Sequence, residues 1–154
     1  MGTTVFAGTY SRTLDEKHRI VVPKAIRDPL EGTGSKVVYL GPGTETTIQI
    51  FTQQTLEAMG EKLDHASQGP DQRVFSRLFF AQVQPTEIDS QGRIRLPPEL
   101  KAWAKIESEV VLIGVRDHIE VWSASTWREY LEKWQSQFDE ITDKAFRAER
   151  PSSQ

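Results

Sequence analysis

Apolar and polar residues alternate in short runs along most of this chain. Arg19-Ile-Val-Val22 is β-branched and Arg93-Ile-Arg-Leu96 alternates residue by residue, the pattern of half-buried strands. Pro23 and Pro97 end those strands, and Pro98 suits the first turn of a helix. KVVYL (36–40) is predicted to pair with TIQIF (47–51), and EVVLIG (109–114) with HIEVW (118–122) across a short connection at VRDH (115–118). EGTGSK (31–36) and GPGTETT (41–47) read as Gly-rich turns beside strands. Elsewhere the period changes to 3.6. Thr52 caps a predicted helix through Leu56, Met59 and Leu63, and Gln72 to Phe80 reads as helical. Trp127, Tyr130, Leu131, Trp134, Phe138, Ile141 and Ala145 keep one stripe, predicting a single final helix with Thr126 and Glu129 at capping-box spacing.

The pattern is written twice. Asp15, Arg19, Ile20, Val22, Pro23 and Ile26 recur as Asp89, Arg93, Ile94, Leu96, Pro97 and Leu100, each 74 positions later. The same offset carries Phe6-Ala7 onto Phe80-Ala81 and Val37-Val38 onto Val111-Leu112. Ile48, Ile50 and Phe51 then match Ile119, Val121 and Trp122 at an offset of 71, which predicts a loop three residues longer in the first copy, at 41–47. One copy has too few strands to bury a core alone, whereas two packed about a pseudo-two-fold axis have enough. The expected organisation is α+β: a first repeat with its helix at 5–64, a linker and short helix at 65–79, a second repeat with a C-terminal helix at 80–147, and a disordered tail at 148–154.

The 154 residues are 37% hydrophobic and 27% charged, a globular composition. Cysteine is absent, which excludes disulfides, thiol nucleophiles and Cys-based zinc sites. The start MGTTVFAGTYSRT lacks the basic and apolar regions of a secretory signal and the longest apolar runs are short, so the expectation is a cytoplasmic protein with no membrane partner. A net charge of −3 argues mildly against nucleic acid, but the charge is unevenly spread. Between Tyr10 and Arg27, Arg12, Lys17, Arg19, Lys24 and Arg27 outweigh Asp15 and Glu16 by three; between Thr52 and Gln72 the balance is −3.

The basic stretch contains D-x-x-x-R, which also stands in the second copy. A lone instance is best read as a solvated ion pair. Two instances, each before an Ile-x-(Val/Leu)-Pro strand, point to turns held by Asp15 and Asp89, with Lys17, Arg19 and Arg93 directed outward toward phosphates or base edges. Other chemistry is thin. His65 and His118 are isolated, no residues have metal-ligand spacing, and EGTGSK fails the phosphate-loop spacing. Ser76, Ser90 and Ser123 lack a nucleophile motif, so no enzyme, cofactor, metal or small-molecule substrate is expected. Trp103, Trp122, Trp127 and Trp134 are expected in the core or a subunit interface.

FAGTYSRTLDEKHRIVVPKAIRDPL and FFAQVQPTEIDSQGRIRLPPELKAWAKI together resemble the paired halves of the MraZ family, bacterial proteins with two SpoVT-AbrB-type motifs. LIG followed by IEVW, and the aromatic-rich last helix, extend the resemblance from Val5 to about Arg147. The resemblance implies a swapped-hairpin β-barrel core with flanking helices and assembly into homo-oligomeric rings. It also implies sequence-specific binding to direct repeats in double-stranded DNA, repressing the cell-division and cell-wall operon from the nucleoid. The expected DNA-binding residues are Arg12, Lys17, His18, Arg19, Lys24, Gln91, Arg93 and Arg95, with Asp15, Asp89 and Gly92 structuring the turns. One departure stands out: His18 precedes Arg19 where the family usually has glycine, as Gly92 precedes Arg93. The alternatives are an antitoxin-type protein-binding module and a purely structural ring-forming scaffold.

Overall fold

Leu40, Ile48, Leu112, Ile119 and Val121 are wholly buried, and all belong to one antiparallel sheet. The computed structural model describes residues 5–32, 34–66 and 69–147. Residues 67 and 68 of the expected linker, and the tail at 148–154 that was expected to be disordered, lie outside the described residues. The chain divides into two compact units, one ending at Ala124 and the other beginning at Ser125.

The first unit is α+β. Its strands are β1 (Thr9–Thr13), β2 (Arg19–Val21), β3 (Val37–Gly43), β4 (Thr47–Phe51), β5 (Gln84–Glu87), β6 (Arg93–Arg95), β7 (Glu109–Val115) and β8 (His118–Ser123). Its helices are α1 (Lys24–Glu31), α2 (Gln53–His65), α3 (Pro70–Phe80) and α4 (Pro98–Trp103). Six strands form a sheet in the order β1-β7-β8-β4-β3-β5, and β2 pairs with β6 in a separate ladder. The sheet is open, not the closed barrel that the resemblance implied. β2 and β6 pair with each other instead of bridging the outer strands, so β1 and β5 remain as edges.

The expected hairpins form. Leu40 lies opposite Ile50 in β3–β4, and Leu112 opposite Val121 in β7–β8. The expected loop difference is placed otherwise. Leu40 also faces Gln84 on β5, while Leu112 faces Tyr10 on β1. Because Tyr10 and Gln84 are 74 apart, Leu40 takes the ladder position of Leu112 at an offset of 72, not 74. Two of the three extra residues therefore precede β3, and one lies in the β3–β4 turn. A two-residue slip keeps every side chain on its own face, so alternation alone could not distinguish the registers.

Ile20 and Ile94, each 1% exposed, close the core from the β2–β6 ribbon, joined by Ile26 and Leu30 of α1 and Leu100 of α4. Thr52 caps α2, its Oγ1 accepting the Thr55 amide at 3.1 Å. In α3 the buried ring belongs to Phe79; Phe80, which the repeat matched to buried Phe6, is 39% exposed because the helix continues through it. Trp122 is buried, while Trp103 is partly exposed and its Nε1 donates to the Thr47 carbonyl at 2.9 Å. His118 is not isolated. Its Nδ1 lies 2.8 Å from Asp117 Oδ1 and its Nε2 3.1 Å from Glu120 Oε2, and Glu120 Oε1 accepts Trp122 Nε1–H at 2.9 Å.

From Ser125 on, the second unit carries all but the first residue of α5 (Ala124–Trp134), a 3₁₀ turn (Gln135–Gln137) and α6 (Phe138–Arg147), in place of one continuous helix. At the break the Gln137 side chain donates to the Lys133 carbonyl at 3.1 Å, taking the acceptor that its own amide would use in an unbroken α-helix. α5 starts at Ala124, directly after β8, so Thr126 lies inside the helix and is not its cap. Among the described residues, no helix is long and apolar enough to cross a membrane.

Candidate nucleic-acid interface

Each D-x-x-x-R turn opens with an aspartate that gathers the backbone ahead of it. Asp15 Oδ1 accepts the amides of Lys17 and Arg19, both at 2.9 Å, and Oδ2 accepts Arg19 Nε–H at 2.8 Å. Asp89 does the same for the Gln91 amide, the Arg93 amide and Arg93 Nε–H, all at 2.9 Å. The main chain closes both loops. Asp15 N–H donates to the Arg19 carbonyl and His18 N–H to the Asp15 carbonyl; Asp89 and Gly92 donate in the same way to Arg93 and Asp89. A carboxylate accepting this many donors is stabilised in its charged form. The Arg19 amide is the largest influence on Asp15; desolvation opposes it, the Arg19 guanidinium assists, and the carboxyl is held below its usual range. Arg93 acts likewise on Asp89.

The fourth residue of each turn is left-handed, with φ +62° at His18 and +78° at Gly92. Glycine adopts that conformation without a Cβ penalty, whereas a side-chain-bearing residue gives up about 1 kcal/mol. The carbonyls of these two residues are then held by the opposite half of the chain. Val22 N–H donates to Gly92 O at 2.8 Å, and Leu96 N–H donates to His18 O at 2.9 Å. Between these bonds lies the β2–β6 ladder, with Ile20 opposite Ile94 on the buried face.

The solvent face of that ribbon sets Arg19 opposite Arg95 and Val21 opposite Arg93. Like charges directly across a ladder repel. Here the conflict is relieved because Arg19 and Arg93 turn their Nε atoms back onto Asp15 and Asp89, leaving both side chains only about a quarter exposed. Arg95 is exposed. Glu16, Lys17, His18, Arg19 and Arg95 line a shallow depression of about 500 Å³, so four of the expected contact residues converge there. Arg12 reaches from β1 toward the ribbon, its Nε donating to the Val21 carbonyl at 3.2 Å. Lys24 is exposed at the start of α1 and Gln91 at the tip of the second turn; neither lines the depression.

Arg27, absent from the expected set, lies against the second turn. A Cβ placed on Gly92 would collide with its Nη1 and stand 2.9 Å from its Cζ. The signal for this contact lies in the strand pairing, since crossing β2 with β6 sets the helix after one strand beside the turn before the other. A reading confined to one copy at a time does not reveal it.

Comparison with known proteins shows the family. A family model described as "MraZ protein, putative antitoxin-like" matches residues 79–149. A protein named transcriptional regulator MraZ from Carboxydothermus hydrogenoformans is 36% identical over 141 residues, covering 91% of this chain and 96% of the relative. Its namesake from Thermomicrobium roseum is 34% identical over 124 residues, covering 80% and 84%. The one from Moorella thermoacetica is 34% identical over 141 residues, covering 91% and 96%. By identity and by coverage at nearly full length, the chain belongs to the MraZ family.

Proposed function

We propose that this chain is a DNA-binding transcriptional regulator whose contact surface is the outer face of the β2–β6 ribbon with its two aspartate-held turns. The observation that carries the proposal is the convergence of Lys17, His18, Arg19 and Arg95 on one depression in a chain of net charge −3. Backbone and carboxylate bonds fix the turn before any ligand arrives, which limits the ordering cost of binding. Arg95 and Lys17 contact phosphates, and Arg12, Lys24, Gln91 and Arg93 extend the footprint on either side. The two halves form an internal pseudo-dimer of swapped hairpins. The reciprocal bonds from Val22 to Gly92 and from Leu96 to His18 support that reading.

A single chain offers only a few phosphate contacts, too few for tight binding at physiological salt. A homo-oligomeric ring repeats the face, so direct repeats upstream of the cell-division and cell-wall operon engage several chains at once and repress it. The test is fluorescence anisotropy with a duplex of those repeats beside a scrambled duplex at several salt concentrations. Preferential binding that weakens steeply with salt is expected; equal or absent binding to the two duplexes would sink the proposal. A Lys17→Gln/Arg95→Gln variant should bind at least tenfold more weakly, since hydrogen bonds to charged groups contribute roughly 1.5–3 kcal/mol each. These positions test the surface better than Arg19, whose removal would also open the turn.

A further inference from the structure

We propose that Arg27 is a phosphate-contacting residue, supplying to the second turn the cation that Gly92 cannot carry. The inference rests on the DNA-binding reading and adds to it a residue from another element. Its first support is position. Gly92 is buried and left-handed, and the guanidinium of Arg27 fills the space where a side chain at that position would begin. The corresponding position in the first turn carries the imidazole of His18. Each turn thus has a nitrogen-bearing group over its fourth residue, one supplied locally and the other delivered by α1.

Its second support is charge. Arg19 and Arg93 are each paired with their own aspartate. Among the described residues, the Arg27 guanidinium has neither a hydrogen bond nor an ion pair. Arg27 is partly buried as a residue, and among the described residues its guanidinium has no carboxylate beside it to offset its charge. Both conditions favour an incoming anion, and its planar fork matches the paired oxygens of a phosphate. The Arg27 amide donates to the Pro23 carbonyl at 2.8 Å, the opening helical bond of α1, so Arg27 stands in the first turn of a helix that begins three residues after β2 ends. Since β2 pairs with β6, this anion site is built from both copies, and neither copy alone contains it.

The experiment compares full-length wild type, Arg27→Gln and Arg27→Lys by anisotropy on the repeat duplex from about 50 to 200 mM salt, with a thermal melt of each. Arg27→Gln should weaken binding about tenfold and reduce the salt slope by about one per chain bound, while Arg27→Lys recovers most of both. Unchanged affinity and slope in Arg27→Gln, with wild type binding, would overturn the assignment. So would an Arg27→Lys as weak as Arg27→Gln with a lowered melting temperature, which is the outcome of a packing role. No binding by wild type to any duplex would instead overturn the DNA reading, and the role of Arg27 with it.

Discussion

Two residues in the same backbone state differ in how freely each can be replaced. His18 at φ +62° is exposed, and glycine there would remove its left-handed strain. Part of that gain is offset by the looser unfolded chain that glycine brings. His18→Gly should therefore raise stability by about 0.5 kcal/mol, measured as the urea midpoint. Gly92→Ala should lower it by about 1–2 kcal/mol, because φ is +78° and Arg27 must also move. Equal effects at the two sites would contradict the asymmetry. The left-handed position itself was legible in the sequence, since Gly before Arg in the second copy marks it and His18 breaks the pattern. The return of Arg19 and Arg93 onto their aspartates was less so. Spacing shows that the pair can meet, but not that Nε is the atom committed to the carboxylate.

At the level of elements, the β7–β8 hairpin carries a pH-dependent clamp. Burial pushes the His118 imidazole down, but its bonds to Glu120 and Asp117 together outweigh that, and the result is raised from the ordinary value of 6.5. A raised folded-state value means that the contribution is complete below the unfolded value and is lost as pH climbs through the folded one. The melting temperature should therefore fall as pH rises above the ordinary histidine range, and His118→Gln should flatten that dependence. A variant with the same slope as wild type would remove the clamp from the explanation. The hairpin was readable from EVVLIG and HIEVW, and alternation along β8 puts Glu120 on the same face as His118; the contact from Asp117, in the turn just before the strand, was not readable. The single final helix failed for a related reason. Its apolar stripe runs unbroken past Gln135–Gln137, and periodicity does not register a glutamine side chain that takes a backbone acceptor.

Across the whole molecule, the repeat was the most informative signal, since it located both turns and the strands that follow them. It misled where length and register trade against each other, placing all three extra residues in one turn. In the proposed function, this scale is a matter of number. If the proposed oligomer presents several ribbons, extending a duplex from one repeat to three should tighten binding by roughly 100-fold or more. Anisotropy on a series of one, two and three repeats measures this directly. Affinity independent of repeat number would leave each chain acting alone.

The reciprocal bonds between the turns also govern the order of events at synthesis. Val22 and Leu96 find their acceptors only in the other half of the chain, so the strand ending at Val21 has no partner until Arg93–Arg95 has been made. At about 5–20 residues per second, the 74 residues that separate the two halves take several seconds to emerge. During that interval Ile20, Val22 and Ile26 are apolar surface without a core. A chain stopped before Gly92 therefore lacks the acceptor for Val22 and the strand that pairs with β2, and it should be cut by a protease far faster than the full chain.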